Sequence, residues 1–184
     1  GLGKRVAFHI IKKIGKSTLG LGYATTITDC LLAPAFPSNS ARSGVIYPII
    51  QSLALGNRSS PEDGTQKKMG SFLVMNGLCG FSISSTMWIT GMATNLLGAQ
   101  MASEYGVDIS FGSWIVASSI PCLMMLIAVP WVLYKVMDPE IKSTPEAPEL
   151  AEEELKKMGP MSAKEKVVAL TFVLMVGAWA LSSI

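Results

Sequence analysis

Residues 37–44 read Pro37-Ser38-Asn39-Ser40-Ala41-Arg42-Ser43-Gly44, a short polar break inside apolar sequence. An apolar segment precedes it, Ser17 to Phe36, and another follows it, Val45 to Leu55. Backbone at membrane depth must have its hydrogen bonds satisfied, so a polar break there is tolerated only where it is buried in protein or lines a wet cavity. Two hydroxyls, an amide and Arg42 at such a break indicate a binding site for something charged.

The composition places the chain in a membrane. It has 184 residues, of which 49% are hydrophobic and 15% charged, whereas a soluble domain carries about 25% charged residues. Residues 112–134 form an uncharged run, long enough for a span of about 20 residues. We therefore predict an all-α integral membrane protein in contact with the lipid bilayer. The net charge of +2 gives no indication of nucleic acid binding.

The first half of the chain divides into three segments. Residues 1–16 read as an amphipathic helix with its bases on one side, typical of a helix lying in the membrane interface. Residues 17–56 are two half-length apolar segments interrupted by prolines, which predicts a re-entrant helical hairpin with a Ser-Asn-Ser tip. Residues 57–68 read as a solvent loop. Asp29 is either a functional intramembrane carboxylate or a group that faces water.

Four segments make up the rest. Residues 69–103 read as a discontinuous transmembrane helix unwound near Ser82–Thr86, although its small residues could instead serve close helix packing. Residues 112–136 read as a full transmembrane helix, residues 137–166 as a polar, cytosolic connector with a surface helix, and residues 167–184 as the start of a further, truncated transmembrane helix. We interpret the chain as an internal piece of a longer polypeptide.

A polar hairpin tip together with an unwound helix predicts a transporter or a channel, and the two polar breaks supply the groups that a carrier of dicarboxylates would need. Hydroxyl and amide side chains, with the free N–H groups of half-helix N-termini, can hold carboxylates without binding them irreversibly. A bound Na⁺ or the nearby Arg42 can offset the negative charge. The sequence favours an enzyme less than a carrier, because His9 is the only histidine and neither a phosphate-binding loop nor paired intramembrane carboxylates occur. A membrane packing or assembly subunit is the alternative from another class.

Three stretches resemble the divalent anion/sodium symporter family, and its 2-oxoglutarate/malate translocator branch of dicarboxylate carriers in particular. They are LLAPAFPSNSARSGVIYPII (residues 31–50), KKMGSFLVMNGLCGFSISSTMWITGMATNLL (residues 67–97) and DPEIKSTPEAPELAEEELKKMGPMSAKEK (residues 138–166). The resemblance implies a transporter of two inverted repeats that works as a homodimer and moves a transport domain in an elevator-like way. This chain would hold most of the first repeat.

The resemblance also implies roles for individual residues. The cation-binding set is Ser38, Asn39 and Ser84, and the substrate-binding set is Asn39, Ser40, Arg42, Ser85 and Thr86. Position 40 is Ser where the family signature has Thr, which keeps the hydroxyl. The pair Ser84-Ser85 stands where Na⁺-coupled members tend to carry glycines. This departure favours anion exchange over Na⁺ symport, with Arg42 sharing the charge balance.

The sequence thus predicts a secondary active transporter that moves 2-oxoglutarate, malate, succinate or another di- or tricarboxylate. We expect no cofactor apart from Na⁺ as a coupling ion, and no catalytic residues. We expect a bacterial inner membrane rather than a plastid inner envelope, because no transit-type sequence is visible.

Overall fold

A computed structural model describes residues 1–181 of the chain, apart from the side chain of Ala180. The described part is helical and contains no β-strand. Its helices are α1 (Leu2–Ile14), α2 (Thr18–Leu32), α3 (Asn39–Gly56), α4 (Gly70–Met87), α5 (Ala93–Ser103), α6 (Phe111–Met137), α7 (Ala147–Met158) and α8 (Ala163–Leu181). The all-α prediction is confirmed. The last three residues of the predicted span 167–184 lie outside the described part.

Helices α2 and α3 form the arms of the segment predicted as a hairpin. Each begins at a serine: Ser17 accepts a hydrogen bond from the Gly20 N–H at 3.0 Å, and Ser38 accepts one from Ala41. A serine at this position satisfies one of the N–H groups that a helix start leaves free. With 15 residues, α2 is about 22 Å long, shorter than a hydrocarbon core of about 30 Å.

The core is formed where α2, α3 and α4 pack together. Its buried side chains there include Leu21 of α2, Ile46 and Ile50 of α3, and Phe72 and Leu73 of α4. The same cluster continues between α1 and α7, whose buried members are Ala7, Ile11, Ala147 and Ala151. The apolar side of α1 therefore packs on protein, and contact of this helix with lipid stays a prediction.

The interruption between α4 and α5 does not lie where the sequence suggested. Helix α4 continues without a break through Ser82–Thr86, so the predicted unwinding there is wrong. The hydroxyls of Ser82 and Thr86 donate to carbonyls one turn earlier in the same helix, Thr86 to Ser82 at 3.0 Å, a bond compatible with helix. The backbone becomes extended at Trp88 and Met92, with a single 3₁₀ turn at Ile89–Gly91 between them.

Helix α6 is the one helix of the described residues that is long and apolar enough to cross a membrane. Its 27 residues make it about 40 Å long. Most of its surface is unburied within the described part, and its exposed side chains include Val116, Ile120, Met124 and Ile127.

Residues 138–146, which we call the strap, hold three parts of the fold together. Thr144 donates through its N–H to the Lys16 carbonyl at 2.9 Å and through its hydroxyl to the Gly15 carbonyl at 2.8 Å. The N–H of Ile141 donates to the Lys68 carbonyl, also at 2.9 Å. The strap therefore joins the end of α6 to the corner before α2 and to the loop before α4, which lie on one side of the molecule.

Candidate functional site

The tip between α2 and α3 is held from inside by Arg42. This side chain is only 1% exposed. Its Nε donates to Asp29 Oδ1 at 2.8 Å, and one terminal nitrogen donates to Asn39 Oδ1 at 2.7 Å. Further acceptors surround the guanidinium: the carbonyls of Phe36, Gly91 and Phe81, and the hydroxyl of Ser85. The three nitrogens of the planar Arg42 guanidinium thus all donate to oxygen acceptors.

Asp29 is the counter-charge of this arginine. It is 1% exposed and pairs with Arg42 through one carboxylate oxygen, while the other oxygen accepts from the Ser84 hydroxyl. Of the two interpretations of Asp29, the one in which it faces water is wrong. A buried ion pair is tolerated when its remaining hydrogen-bonding capacity is satisfied, and Ser84 serves that purpose.

Ser84 and Ser85 connect α4 to the hairpin from adjacent positions. Ser84 contacts Asp29 of α2, and Ser85 donates to Asn39 Oδ1 at the start of α3. Both serines are buried. The sequence predicts Ser84 and Ser85 opposite the tip. In the structure they contact the hairpin, and the helix that carries them, α4, is intact.

An open groove of about 600 Å³ lies on the other side of Asn39. Asn39, Ser40 and Ser43 of α3 line it, facing Phe81 and Ser82 of α4. Of the predicted site residues, Asn39 and Ser40 therefore border open space. Arg42, Ser84 and Ser85 lie buried behind Asn39 and fix its position.

The remaining predicted residues lie apart from this groove. Ser38 is half-buried and uses its side-chain oxygen to cap α3. Thr86 is exposed beside α6, where Trp114 Nε1 donates to its carbonyl at 3.0 Å. It borders a separate cavity of about 520 Å³ together with Asp108.

The structure adds groups that the sequence did not identify. The carbonyls of Phe36, Phe81 and Gly91 bind Arg42, but a backbone oxygen leaves no signal in a sequence. Asn95 donates to the Ser85 carbonyl at 2.7 Å and to the Trp88 carbonyl at 3.0 Å. This amide follows the break closely and could have been singled out, because a polar residue just after a Gly-containing break often satisfies freed backbone groups.

The site therefore consists of a neutral buried ion pair, an amide that it orients, and a groove beside that amide. The oxygens that would suit a cation near Asn39 already accept hydrogen bonds from Arg42. What reaches the groove is an amide, hydroxyls and the N-terminus of an 18-residue helix, groups that suit an anionic ligand.

Comparison with known proteins agrees with this chemistry. The chain matches, over residues 1–184, the family described as "Sodium:sulfate symporter transmembrane region". It is 45% identical over 97% of its length to dicarboxylate transporter 1, chloroplastic, of Spinacia oleracea, covering 32% of that protein. It is 40% identical over 99% of its length to inner membrane protein YbhI of Escherichia coli, covering 38% of that protein.

A third relative is the L-tartrate/succinate antiporter of Escherichia coli, 39% identical over 97% of the chain and 36% of the relative. The chain spans about a third of the length of the curated relatives it matches. The family predicted from the tip and its flanking sequence is confirmed. The chain belongs to the sodium:sulfate symporter transmembrane family.

Proposed function

We propose that the whole protein exchanges dicarboxylates across a membrane and that the groove beside Asn39 is half of its substrate site. The observation that carries the proposal is the buried guanidinium of Arg42, which fills the ring of oxygens between the tip and the break after α4. The alternative, a packing subunit, gives no reason for an oriented amide beside an open groove.

The groove offers what one carboxylate group of the substrate requires. Asn39 and Ser40 present an amide and a hydroxyl, and the N-terminus of α3 carries a partial positive charge. These groups are uncharged, so they bind a carboxylate without holding it too tightly for release. The names of the relatives, a dicarboxylate transporter and an L-tartrate/succinate antiporter, favour a four- or five-carbon dicarboxylate.

In this proposal Arg42 occupies the oxygens that a coupling ion would need. A Na⁺ ion held by the predicted set, Ser38, Asn39 and Ser84, would need oxygens that are already bonded to Arg42, to Asp29 or to the α3 start. The charge of Arg42 is already neutralised by Asp29, and two dicarboxylates of equal charge exchange without net charge movement. Exchange of one dicarboxylate for another then needs no ion to balance charge, so we favour exchange over Na⁺ symport.

The larger assembly follows from the family. We propose two inverted repeats, a re-entrant α2–α3 hairpin, a homodimer and an elevator-like movement of the hairpin together with α4, to which Arg42 ties it. The location we propose is a bacterial inner membrane, supported by the name of the relative YbhI.

Counterflow with the full-length protein tests the proposal. Liposomes carrying the protein and loaded with malate should take up radiolabelled 2-oxoglutarate at the same rate in sodium and in choline medium. Liposomes without internal dicarboxylate should take up little. Uptake into empty liposomes that requires a Na⁺ gradient would contradict the exchange mechanism and support Na⁺ symport. No uptake of any dicarboxylate in either medium would favour the packing subunit.

A further inference from the structure

The groove beside the tip continues along the hairpin. A second cavity, of about 440 Å³, lies between α3 and α4 near the loop of residues 57–68. Both cavities are lined by Tyr47 and Val74, so they adjoin at these two residues. The second cavity is also lined by Gln51, Ser60, Glu62, Gln66 and Ser71. The two cavities together extend from Asn39 at the tip to the loop.

Polar side chains follow this groove along one face of α3. Ser40, Ser43, Tyr47 and Gln51 are spaced by three or four residues, so they lie one above another on the helix. All four line the two cavities, and none of them is buried. We call these four residues the polar face of α3.

The exposed surface of α6, unlike the polar face of α3, is apolar. Val116 is 77% exposed and Ile120 is 71% exposed, and Met124 and Ile127 continue the same apolar surface. A surface of this composition suits lipid. The Ser43 hydroxyl donates to the Ser40 carbonyl at 2.9 Å within its own helix. A polar group that faces hydrocarbon without a partner is unfavourable, so the Tyr47 hydroxyl and the Gln51 amide make the polar face of α3 unsuited to lipid. It requires water or polar partners.

Space beside the polar face favours water. Each cavity has the volume of many water molecules, since one water occupies about 30 Å³ in the liquid. A Cβ atom built on Gly44, next to the tip, would meet no atom of the described residues within 4 Å. The groove thus remains open beside the residues proposed to hold the substrate.

We propose that the groove between α3 and α4 is a water-filled path along which the dicarboxylate passes between Asn39 and the side of the membrane that carries residues 57–68. Tyr47 borders both halves of the path. The inference rests on the proposed function for the identity of the solute, whereas the presence of water in the groove does not depend on it.

Thiol labelling of the full-length protein tests the path. The native cysteines Cys30, Cys79 and Cys122 are first replaced by alanine, and single cysteines are then introduced. The path variants are Ser43→Cys, Tyr47→Cys and Gln51→Cys, and the matched controls on α6 are Val116→Cys and Ile120→Cys. The probe is an anionic, membrane-impermeant methanethiosulfonate added from the side that carries residues 57–68.

The path variants should react about tenfold faster than the controls, because a charged reagent enters water but not hydrocarbon. Succinate should slow the reaction at Ser43→Cys, which lies next to the tip. Path variants as unreactive as the controls would overturn the inference and show that lipid or another part of the protein fills the groove. Labelling that succinate does not affect, in a protein without exchange activity, would support a wet groove and contradict the proposed function.

A bulky side chain gives an independent measurement. Gly44→Phe adds a ring where the described residues leave space, and it should lower the exchange rate several-fold with little change in thermal stability. Gly177→Phe on α8, where an added Cβ also meets no atom within 4 Å, is the matched control and should exchange normally. Equal exchange by the two variants would contradict the path even if dicarboxylate exchange itself is established.

Discussion

Arg42 shows how one residue can be identified from sequence while its surroundings are not. It is the only cation between Ser17 and Asn57, and its place after the Ser-Asn-Ser triplet indicated a role at the tip. Its partner Asp29 lies 13 residues earlier, on the other arm of the hairpin. The pairing depends on how the chain bends at residues 33–38, which local sequence does not specify. The sequence alone therefore allows two interpretations of Asp29.

The ion pair allows its structural and transport roles to be separated. Arg42→Gln leaves the Asp29 carboxylate buried without its partner, which should lower the free energy of unfolding by about 3–5 kcal/mol. The double variant Asp29→Asn with Arg42→Gln removes both charges and should recover most of that stability. Thermal unfolding of the full-length protein in detergent measures both effects.

Exchange should not recover with stability. The double variant lacks the strong donor that orients Asn39, so counterflow should remain far below that of the unmodified protein. If the stable double variant exchanges malate normally, Arg42 serves the fold alone and its proposed role in orienting Asn39 is wrong.

Among the helices, the break between α4 and α5 lies at residues 88–92. The clustered hydroxyls favour unwinding at Ser82–Thr86 when the sequence alone is considered, yet Ser82 and Thr86 bond back to their own helix and leave it intact. Ser84 and Ser85 donate across to the hairpin instead. At the interruption between α4 and α5, Gly91 packs directly against the end of α4. A Cβ at Gly91 would lie 2.9 Å from the Ser85 carbonyl oxygen and 3.0 Å from its Cα. A tertiary contact of this kind accompanies the break and leaves only a glycine as its mark in the sequence.

Gly91→Ala should therefore disturb the site from a residue that has no functional side chain. The added methyl pushes the Gly91 backbone away from that of Ser85 and so weakens the hydrogen bond from Arg42 to the Gly91 carbonyl. We therefore expect the free energy of unfolding to fall by about 1–3 kcal/mol and exchange to become slower. Gly98→Ala, in helix α5 after the break, meets no atom within 4 Å and should be neutral or slightly stabilising. Thermal unfolding and counterflow of the two variants make the comparison, and equal behaviour would show that the close approach at Gly91 does not matter.

At the scale of the whole molecule, the apolar segments and the family were predictable, but the connections between distant parts were not. The apolar runs and the tip are local patterns, read directly from adjacent residues. The strap is not local: Thr144 bonds to Gly15 and Lys16 across more than a hundred residues. No periodicity marks these bonds, since their acceptors are backbone carbonyls.

The strap also gives the molecule two sides. It ties the end of α6, the corner before α2 and the loop before α4 together, while the start of α6 lies about 40 Å away. Six of the fifteen Lys and Arg residues lie in the strap or in the segments that it ties together: Lys16, Arg58, Lys67, Lys68, Lys135 and Lys142. The loop of residues 104–110 carries two acids and no base. Because basic residues favour the cytoplasmic side, the strap side should face the cytosol.

This orientation predicts a labelling pattern for the full-length protein. In a variant without native cysteines, Asp63→Cys in the loop before α4 and Glu153→Cys in α7 should react with an impermeant maleimide only in inside-out vesicles. Asp108→Cys, before α6, should react only in right-side-out vesicles. Reaction of Asp63→Cys and Glu153→Cys from opposite sides would show that α2 and α3 do not return to the side where they started, which would remove the re-entrant hairpin. Reaction of all three from one side would show that α6 does not cross the membrane.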